Sequence, residues 1–258
     1  MPLLLMVSDL HLGRGSSDED RAAERDFIQM VSHFRPKLSA LYLLGDVFEQ
    51  YIEYRHMVPK GASRLLGFLA RLTDEGLPVW YIVGNRDPWH LNYFEKELGV
   101  RVVFDYLNAS SGDRNILMAH GDGRAKNDGF YRFLKPILRH PWPVALYKHL
   151  FPADVGFRIA RQFSRIKRDD GVNQDVVRGL QDEAHNLLAE SAPNVVVFGH
   201  SHEAELTETP DGFYLNTGFW YLNKTFGWIE NGTIHLGKWE NQRVITLKTC
   251  HQPNQTNI

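Results

Sequence analysis

The chain is poor in cysteine: its 258 residues hold one, Cys250. No disulfide can form within it, and a reducing compartment fits that composition. Long apolar runs are missing as well. No window approaches the roughly 18 uninterrupted apolar residues that suggest a membrane-spanning helix. The apolar start, residues 1–7, has no basic stretch before it and runs straight into Ser8 and Asp9. It reads as a buried strand and not as a signal peptide. Neither sign of charge dominates. Lys and Arg number 29 against 31 Asp and Glu, for a net charge of -2, which argues against a protein that is basic throughout and coats nucleic acid. There is no internal repeat and no low-complexity tract.

What is present is a chain long enough for a full core and unusually rich in histidine. The composition is 43% hydrophobic and 23% charged, with 12 histidines. A domain of this size buries roughly 70–75% of the surface of its unfolded chain and needs no staple to fold. Residues 1–250 are expected to form one domain. Residues 251–258 are polar and expected to fray.

Five short apolar runs, at 3–7, 40–44, 78–83, 116–119 and 195–198, each stop at a glycine or a small polar residue. That pattern predicts buried strands. Helical periodicity fills residues 20–34, 63–75, 89–98 and 173–191. Strands alternating with helices predict an α/β layered fold. Beyond His202 the pattern changes to short strands at 212–216, 225–229, 233–238 and 243–248, with Asn231-Gly232 as a hairpin signal. Residues 123–170 interrupt the alternation. Between Arg132 and Arg168 nine Lys or Arg stand against one acid, Asp154, and eight aromatics are interleaved from Phe130 to Phe163. This stretch is expected to be a helical cap inserted into the domain. Its charge and aromatics suit a solvated face, a nucleic-acid surface or an anionic lipid surface, and composition does not separate these.

The strand ends carry the chemistry. Asp9, His11, Asp46, Asn85, His120, His200 and His202 all follow predicted strands, and sites in parallel sheets form where the carboxyl ends of strands meet. Asp9 and His11, like His200 and His202, stand two apart. In extended backbone such residues point the same way, so each pair is expected to face one metal region. A carboxylate such as Asp46 has two oxygens and can bridge two cations. Imidazole, carboxylate and amide donors without thiolate suit Mn, Fe, Zn or Co and exclude an iron–sulfur site. Any one of these residues alone would be read as a capping or core hydrogen-bonding group. Seven in this order are not.

Asp9-x-His11, Gly45-Asp46, Gly84-Asn85-Arg86-Asp87, His120 and Gly199-His200-x-His202 resemble the five-block signature of the calcineurin-like metallophosphoesterases. That resemblance implies a four-layer sandwich, two mixed β-sheets flanked by helices, with two divalent cations at the strand ends. It implies that Asp9, His11, Asp46 and His202 hold one ion and that Asp46, Asn85, His120 and His200 hold the other. Asp-Leu-His-Leu at 9–12, Leu-Gly-Asp-Val-Phe-Glu at 44–49, Gly-Asn-Arg-Asp at 84–87, and His120-Gly121-Asp122 followed by Asp128 and Tyr131 are similar to the UDP-2,3-diacylglucosamine diphosphatases of lipid A biosynthesis. This narrower resemblance implies Mn2+ as the cation and a lipid-linked nucleotide sugar as substrate. It implies a cytoplasmic protein peripheral to the inner membrane at an anionic surface, with no nucleic acid and no obligate protein partner. It also implies Asn85, Arg86 and His200 as the groups that stabilise charge on the phosphoryl oxygens, and Asp128, Arg161, Ser164 and Lys167 as further substrate contacts. A nuclease, another phosphodiesterase or protein phosphatase, or a non-catalytic module of the same fold remain as alternatives.

Arg86 adds a physical argument. Many members of the wider family carry histidine there, which can protonate an alkoxide leaving group. Arginine stays protonated and is a poor general acid, so Arg86 suits a leaving group that needs no proton. A phosphate monoester released from a pyrophosphate, with a second pKa of about 6, is such a group. The competing reading of Arg86 is a surface ion pair with Asp87.

Overall fold

The computed structural model describes residues 3–124, 135–137, 139–166, 172–190 and 193–251. Strand β1 (Leu3–Val7) lies at the middle of a seven-stranded sheet and explains why its sequence shows no alternation. Leu3, Leu5 and Val7 face one core, Leu4 and Met6 face another. With a two-residue period and both faces covered, every position must be apolar. Strands β2 (Leu38–Leu43), β3 (Val79–Ile82) and β4 (Arg101–Val103) continue in parallel on one side of β1. On its other side the sheet turns antiparallel through β10 (Thr225–Glu230), β11 (Thr233–Glu240) and β12 (Arg243–Cys250). The hairpin between β10 and β11 turns on Asn231 and Gly232 with φ of 54° and 76°, the double positive φ of a type I′ turn.

The second sheet has five strands in the order β5 (Leu107–Ser111), β6 (Arg114–Met118), β7 (Val195–Phe198), β9 (Gly212–Thr217), β8 (Ala204–Thr209). Its three central strands are parallel and its two edges antiparallel. The sheets pack face to face through Leu4, Met6, Tyr42 and Ile82 from the first and Ile116, Met118, Val195, Val197 and Leu215 from the second. Outside the first sheet lie α1 (Ser17–Phe34) and α2 (Ser63–Asp74), whose Phe27, Met30, Leu65 and Leu69 join Leu3, Leu5 and Val7. Outside the second sheet, α6 (Gln174–Glu190) presents Leu180, Ala184 and Leu188 to Val196, Phe198 and Tyr214. Each such fully buried Leu or Phe contributes about 1.5–3 kcal/mol relative to leaving it in water. The four layers expected from the family resemblance are therefore present.

Local chemistry moves two boundaries. Helix α1 starts at Ser17, ahead of the expected residue 20, because Ser16 and Glu19 form a reciprocal cap: the Ser16 amide donates to Glu19 Oε2 at 2.7 Å and the Glu19 amide to Ser16 Oγ at 3.3 Å. The helix expected over 89–98 shrinks to α3 (Tyr93–Lys96). The buried Glu53 carboxylate accepts from the amides of Leu91, Asn92 and Tyr93 at 2.8–2.9 Å, which holds the chain before Tyr93 in a loop.

Within the interrupted stretch the described residues form α4 (Pro141–Leu150) and α5 (Ala153–Ile166). One contact of Tyr147 seats them against the rest of the domain and another ties them together. Tyr147 packs on Trp89 with ring centroids 4.9 Å apart. The Tyr147 hydroxyl donates to the Gly156 carbonyl at 2.7 Å. A short helix, α7 (Trp220–Asn223), completes the chain's elements; Trp220 is fully buried, with its indole N–H donating to the Ala23 carbonyl. It packs, as expected, and does not enter the site.

Candidate metal centre

Five strands end at one edge of the sandwich and deliver the donors there. Strands β1, β2 and β3 of the first sheet lead to Asp9, Asp46 and Asn85; β6 and β7 of the second lead to His120 and His200. The loops are tied together through backbone bonds, Asp9 N to Gly45 O at 3.1 Å, His11 N to Asp46 O at 2.9 Å and Gly199 N to His120 O at 3.1 Å. Asp9, His11, Asp46, His200 and His202 all adopt left-handed backbone, with φ between 42° and 67°. Each such non-glycine residue costs on the order of 1–3 kcal/mol, a strain that concentrates at functional sites.

The extended-backbone argument for the two i, i+2 pairs therefore fails in its premise, and for one pair in its result. Asp9 and His11 do converge, with Oδ1 and Nε2 3.4 Å apart. His200 and His202 diverge. His202 Nε2 joins Asp9 Oδ1 at 3.4 Å, beside the His11 ring, whereas the His200 ring lies 5.0 Å from that of His120.

Two donor groups result, and their ligand atoms lie within 4.8 Å of one another: Asp9 with His11 and His202, and Asp9 with Asp46 and His120. Asp46 reaches both sides. Its Oδ2 is 3.7 Å from His11 Nε2, and its Oδ1 is 3.5 Å from His120 Nε2. Asn85 Oδ1 stands 3.1 Å from His120 Nε2. Asp9, His11, Asp46 and His120 are buried, while Asn85, His200 and His202 form the half-buried rim.

These donors suit divalent cations. Asp9 Oδ1 and His11 Nε2 are buried and have no hydrogen-bond partner, an arrangement that costs about 1–3 kcal/mol per group unless something else satisfies it. His120 Nδ1 lies 2.7 Å from the Leu44 carbonyl, so Nδ1 donates there and Nε2 is turned to Asn85 Oδ1. With Nε2 protonated that contact is a hydrogen bond; with Nε2 deprotonated two lone pairs meet there, which suits a cation between them. The electrostatics agree. Burial alone would depress the His11 and His120 imidazoles, yet the carboxylates around them push His11 up to about 9 and His120 up to about 10. Burial alone would raise the Asp9 and Asp46 carboxyls, yet the histidines hold both below the usual carboxylate range. The pocket attracts positive charge, which the protein meets with protons and a dication would meet better.

The family model for calcineurin-like phosphoesterases matches residues 3–204. The chain belongs to that family. Among curated proteins it is similar to UDP-2,3-diacylglucosamine hydrolases. That of Porphyromonas gingivalis is 33% identical over 156 residues, 55% of this chain and 60% of that protein. That of Pseudomonas fluorescens is 30% identical over 78% of this chain and 79% of the relative. That of Vibrio parahaemolyticus is 27% identical over 92% and 90%. Family membership implies divalent metal at the donors just described.

Around this phosphoesterase centre lie residues whose part the sequence did not reveal. Glu49 Oε2 accepts from His11 Nδ1 at 3.0 Å, and Glu49 Oε1 stands 3.5 Å from Arg86 Nη1. One carboxylate thus fixes the His11 tautomer and orients Arg86. Phe219 stacks on the His202 ring at 4.0 Å. Glu49 lies in the Leu-Gly-Asp-Val-Phe-Glu block, which is a signal; Phe219 has none. The substitution Glu49→Gln is expected to weaken Mn2+ binding by roughly 10–100-fold, the usual cost of losing a partner behind a ligand. Titration calorimetry measures it, and an unchanged affinity would show the carboxylate to be idle.

Arg86 does not pair with Asp87. The Asp87 carboxylate is fully buried and accepts from the amides of Val47 and Gly84, each at 2.8 Å, and from the Tyr81 hydroxyl. The guanidinium is left at the rim, 19% exposed. Of the expected cap contacts, Asp128 and Lys167 lie outside the described residues, as do residues 252–258 of the tail. Ser164 is on α5. Arg161 is exposed on α5 and lines, with Phe157, Glu49, Gln50 and Arg64, a cavity of about 400 Å³. Because Glu49 also touches His11, that cavity adjoins the metal centre.

Proposed function

We propose that this chain is a metal-dependent hydrolase of UDP-2,3-diacylglucosamine that cleaves the pyrophosphate bond to give UMP and 2,3-diacylglucosamine 1-phosphate. The observation that carries the reading is a two-sided donor cluster with Arg86, paired to Glu49, at its rim. The names of the relatives point the same way. When bound, two cations, Mn2+ in this proposal, supply Lewis acidity toward the phosphoryl oxygens and lower the pKa of water. Asp9, His11, Asp46 and His202 would hold one cation; Asp46, Asn85, His120 and His200 the other. Arg86 offers a planar fork to the phosphoryl oxygens, with Glu49 aiming it. Asn85 and His200, on the same rim, stabilise the charge that develops on those oxygens. Arg161, with Asp128, Ser164 and Lys167, contacts the rest of the substrate.

In the same proposal the cap meets a membrane. Trp142, Leu146 and Leu150 recur every four residues along α4 and are 76%, 51% and 61% exposed. Arg158 and Arg161 are exposed on α5. An apolar stripe beside cationic side chains suits an anionic bilayer, to which each basic residue contributes about 1 kcal/mol near the surface. Among the described residues no helix is long and apolar enough to cross a membrane. The test is Mn2+-dependent turnover of UDP-2,3-diacylglucosamine with UMP identified as product, repeated across shorter acyl chains. KM is expected to rise steeply as the chains shorten, since each buried CH₂ contributes roughly 0.8 kcal/mol. The protein is expected to co-sediment with anionic liposomes at low salt. A flat KM, with no co-sedimentation even at low salt, would overturn the lipid reading and favour a general phosphodiesterase.

A further inference from the structure

We infer that Arg139, at the root of the cap, is a positioning residue for one side of the metal centre: it clamps the peptide that aims Asn85, and Asp122 anchors it there. The inference rests on the two-cation reading above.

The argument begins with a glycine. A Cβ on Gly84 would lie 2.1 Å from Asp46 Oδ1, so no larger residue fits before Asn85. Glycine answers that close approach but leaves the peptide plane between residues 84 and 85 conformationally loose. The Asn85 amide is useful only if Oδ1 stays opposite His120 Nε2, 3.1 Å away. Something must hold the loose peptide. Its preceding amide is held from within the core, Gly84 N donating to Asp87 Oδ1 at 2.8 Å. Its carbonyl is held from the cap: Arg139 Nη2 donates to Gly84 O at 3.3 Å and to Val83 O at 3.2 Å.

The same guanidinium spans three strand ends. It also donates to the Phe104 carbonyl beyond β4 and to Asp122 Oδ2, 3.1 Å away, beyond β6. Asp122 is buried and sits two residues after His120. Lys135 reinforces it, with Nζ 3.1 Å from Asp122 Oδ2 and 2.9 Å from its carbonyl. A buried carboxylate with two cations is held in one place, since breaking such a cluster leaves uncompensated charge. The cap root therefore grips the loops of Asn85 and His120, both assigned to one cation. Among the described residues Arg139 makes no hydrogen bond or ion pair with the loops of Asp9, His11 or His202, assigned to the other. The cap, proposed above to contact substrate, thus also finishes one half of the metal centre.

The experiment counts and titrates Mn2+ on the full chain, without substrate. Wild type is expected to take up two ions. Arg139→Met is expected to keep one and to bind the other roughly 10–100-fold more weakly, as when a residue behind a ligand is lost. Asp122→Asn is expected to do the same at nearly constant volume, so it carries the test should Arg139→Met not fold. Arg139→Lys, which keeps the charge but lacks the fork, is expected to restore only part of the affinity. Coupling gives the sharper readout. Arg139→Met is expected to be strongly non-additive with Asn85→Ala and additive with His11→Ala. Equal weakening of both ions, or additivity with Asn85→Ala, would reduce Arg139 to a general structural role and overturn the inference. Unaltered binding in both variants would overturn it as well. A wild-type chain that binds fewer than two ions would defeat the two-cation reading itself, and the wild-type titration shows that outcome before any variant is made.

Discussion

Asp46→Ala is expected to abolish turnover at every Mn2+ concentration, with the fold retained. Asp46 is the carboxylate whose two oxygens face opposite sides of the centre, Oδ2 toward His11 and Oδ1 toward His120. Oδ1 also accepts from the Arg86 amide at 2.8 Å, so the same side chain fixes the backbone that presents the phosphate clamp. Truncation removes one negative charge from a pocket whose two buried histidines are both pushed far up by their carboxylates, His11 to about 9 and His120 to about 10. In the proposed centre both cations lose a donor at once. A change behind one ligand costs about 10–100-fold, so loss of a shared ligand is expected to exceed that range in both binding and kcat. Asp46→Asn separates the roles: its amide oxygen can still accept from the Arg86 amide while the charge is gone, so binding should fall with little effect on melting. The measurements are bound Mn2+ per chain, kcat against Mn2+, and a thermal melt of each variant. Near-normal turnover of Asp46→Ala at saturating Mn2+ would show that the two sides do not share this residue.

Much of this site is legible in the sequence, for a physical reason. Strands buried on both faces must be apolar throughout, so β1, β2, β3, β6 and β7 stand out as runs, and the polar residue that ends each run is the donor. Edge strands lack that signal. In β5, Leu-Asn-Ala-Ser-Ser, the asparagine and one serine are exposed, and in β8, Ala-Glu-Leu-Thr-Glu-Thr, only Leu206 is buried. The left-handed backbone of Asp9, His11, Asp46, His200 and His202 was also hidden, because nothing in their identity announces it. That backbone turns the His200 and His202 rings to different neighbours, His120 and Asp9, where an extended segment would face them the same way. Contacts between distant segments were the least legible. Glu49 on His11, Phe219 on His202 and Arg139 on Gly84 join loops that only the folded chain brings together. Arg139 was counted among the cap's basic residues, with nothing to mark it as different from the exposed Arg158.

A strong preference for pyrophosphates over alkyl phosphodiesters is expected from Arg86. Hydrolysis of an alkyl diester expels an alkoxide whose conjugate acid is about as weak as bulk water, with a pKa near 15.7. A phosphate monoester leaves with a second pKa of about 6 and needs no proton. Among the described residues neither acid near the guanidinium can substitute as the donor. Asp87, the neighbour in sequence, is pushed up to about 6 by burial, yet it points into the core with its oxygens taken by backbone amides and the Tyr81 hydroxyl. Glu49, the acid that does face Arg86, is held below its ordinary value; burial opposes this, but His11 and the two arginines beside it prevail. It stays ionised and cannot donate. A positioned general acid contributes about 10²–10⁴-fold, so kcat/KM for the pyrophosphate is expected to exceed that for bis-p-nitrophenyl phosphate's alkyl counterparts by at least about 100-fold. Arg86→His inverts the logic. It is expected to lower pyrophosphate turnover by roughly 10²–10³, the cost of one donor to the developing charge, while narrowing the gap between the two substrate classes. The check is kcat/KM for both classes with both proteins at saturating Mn2+. Equal kcat/KM in the unaltered protein, or an unchanged ratio in Arg86→His, would show that leaving-group protonation does not set the specificity.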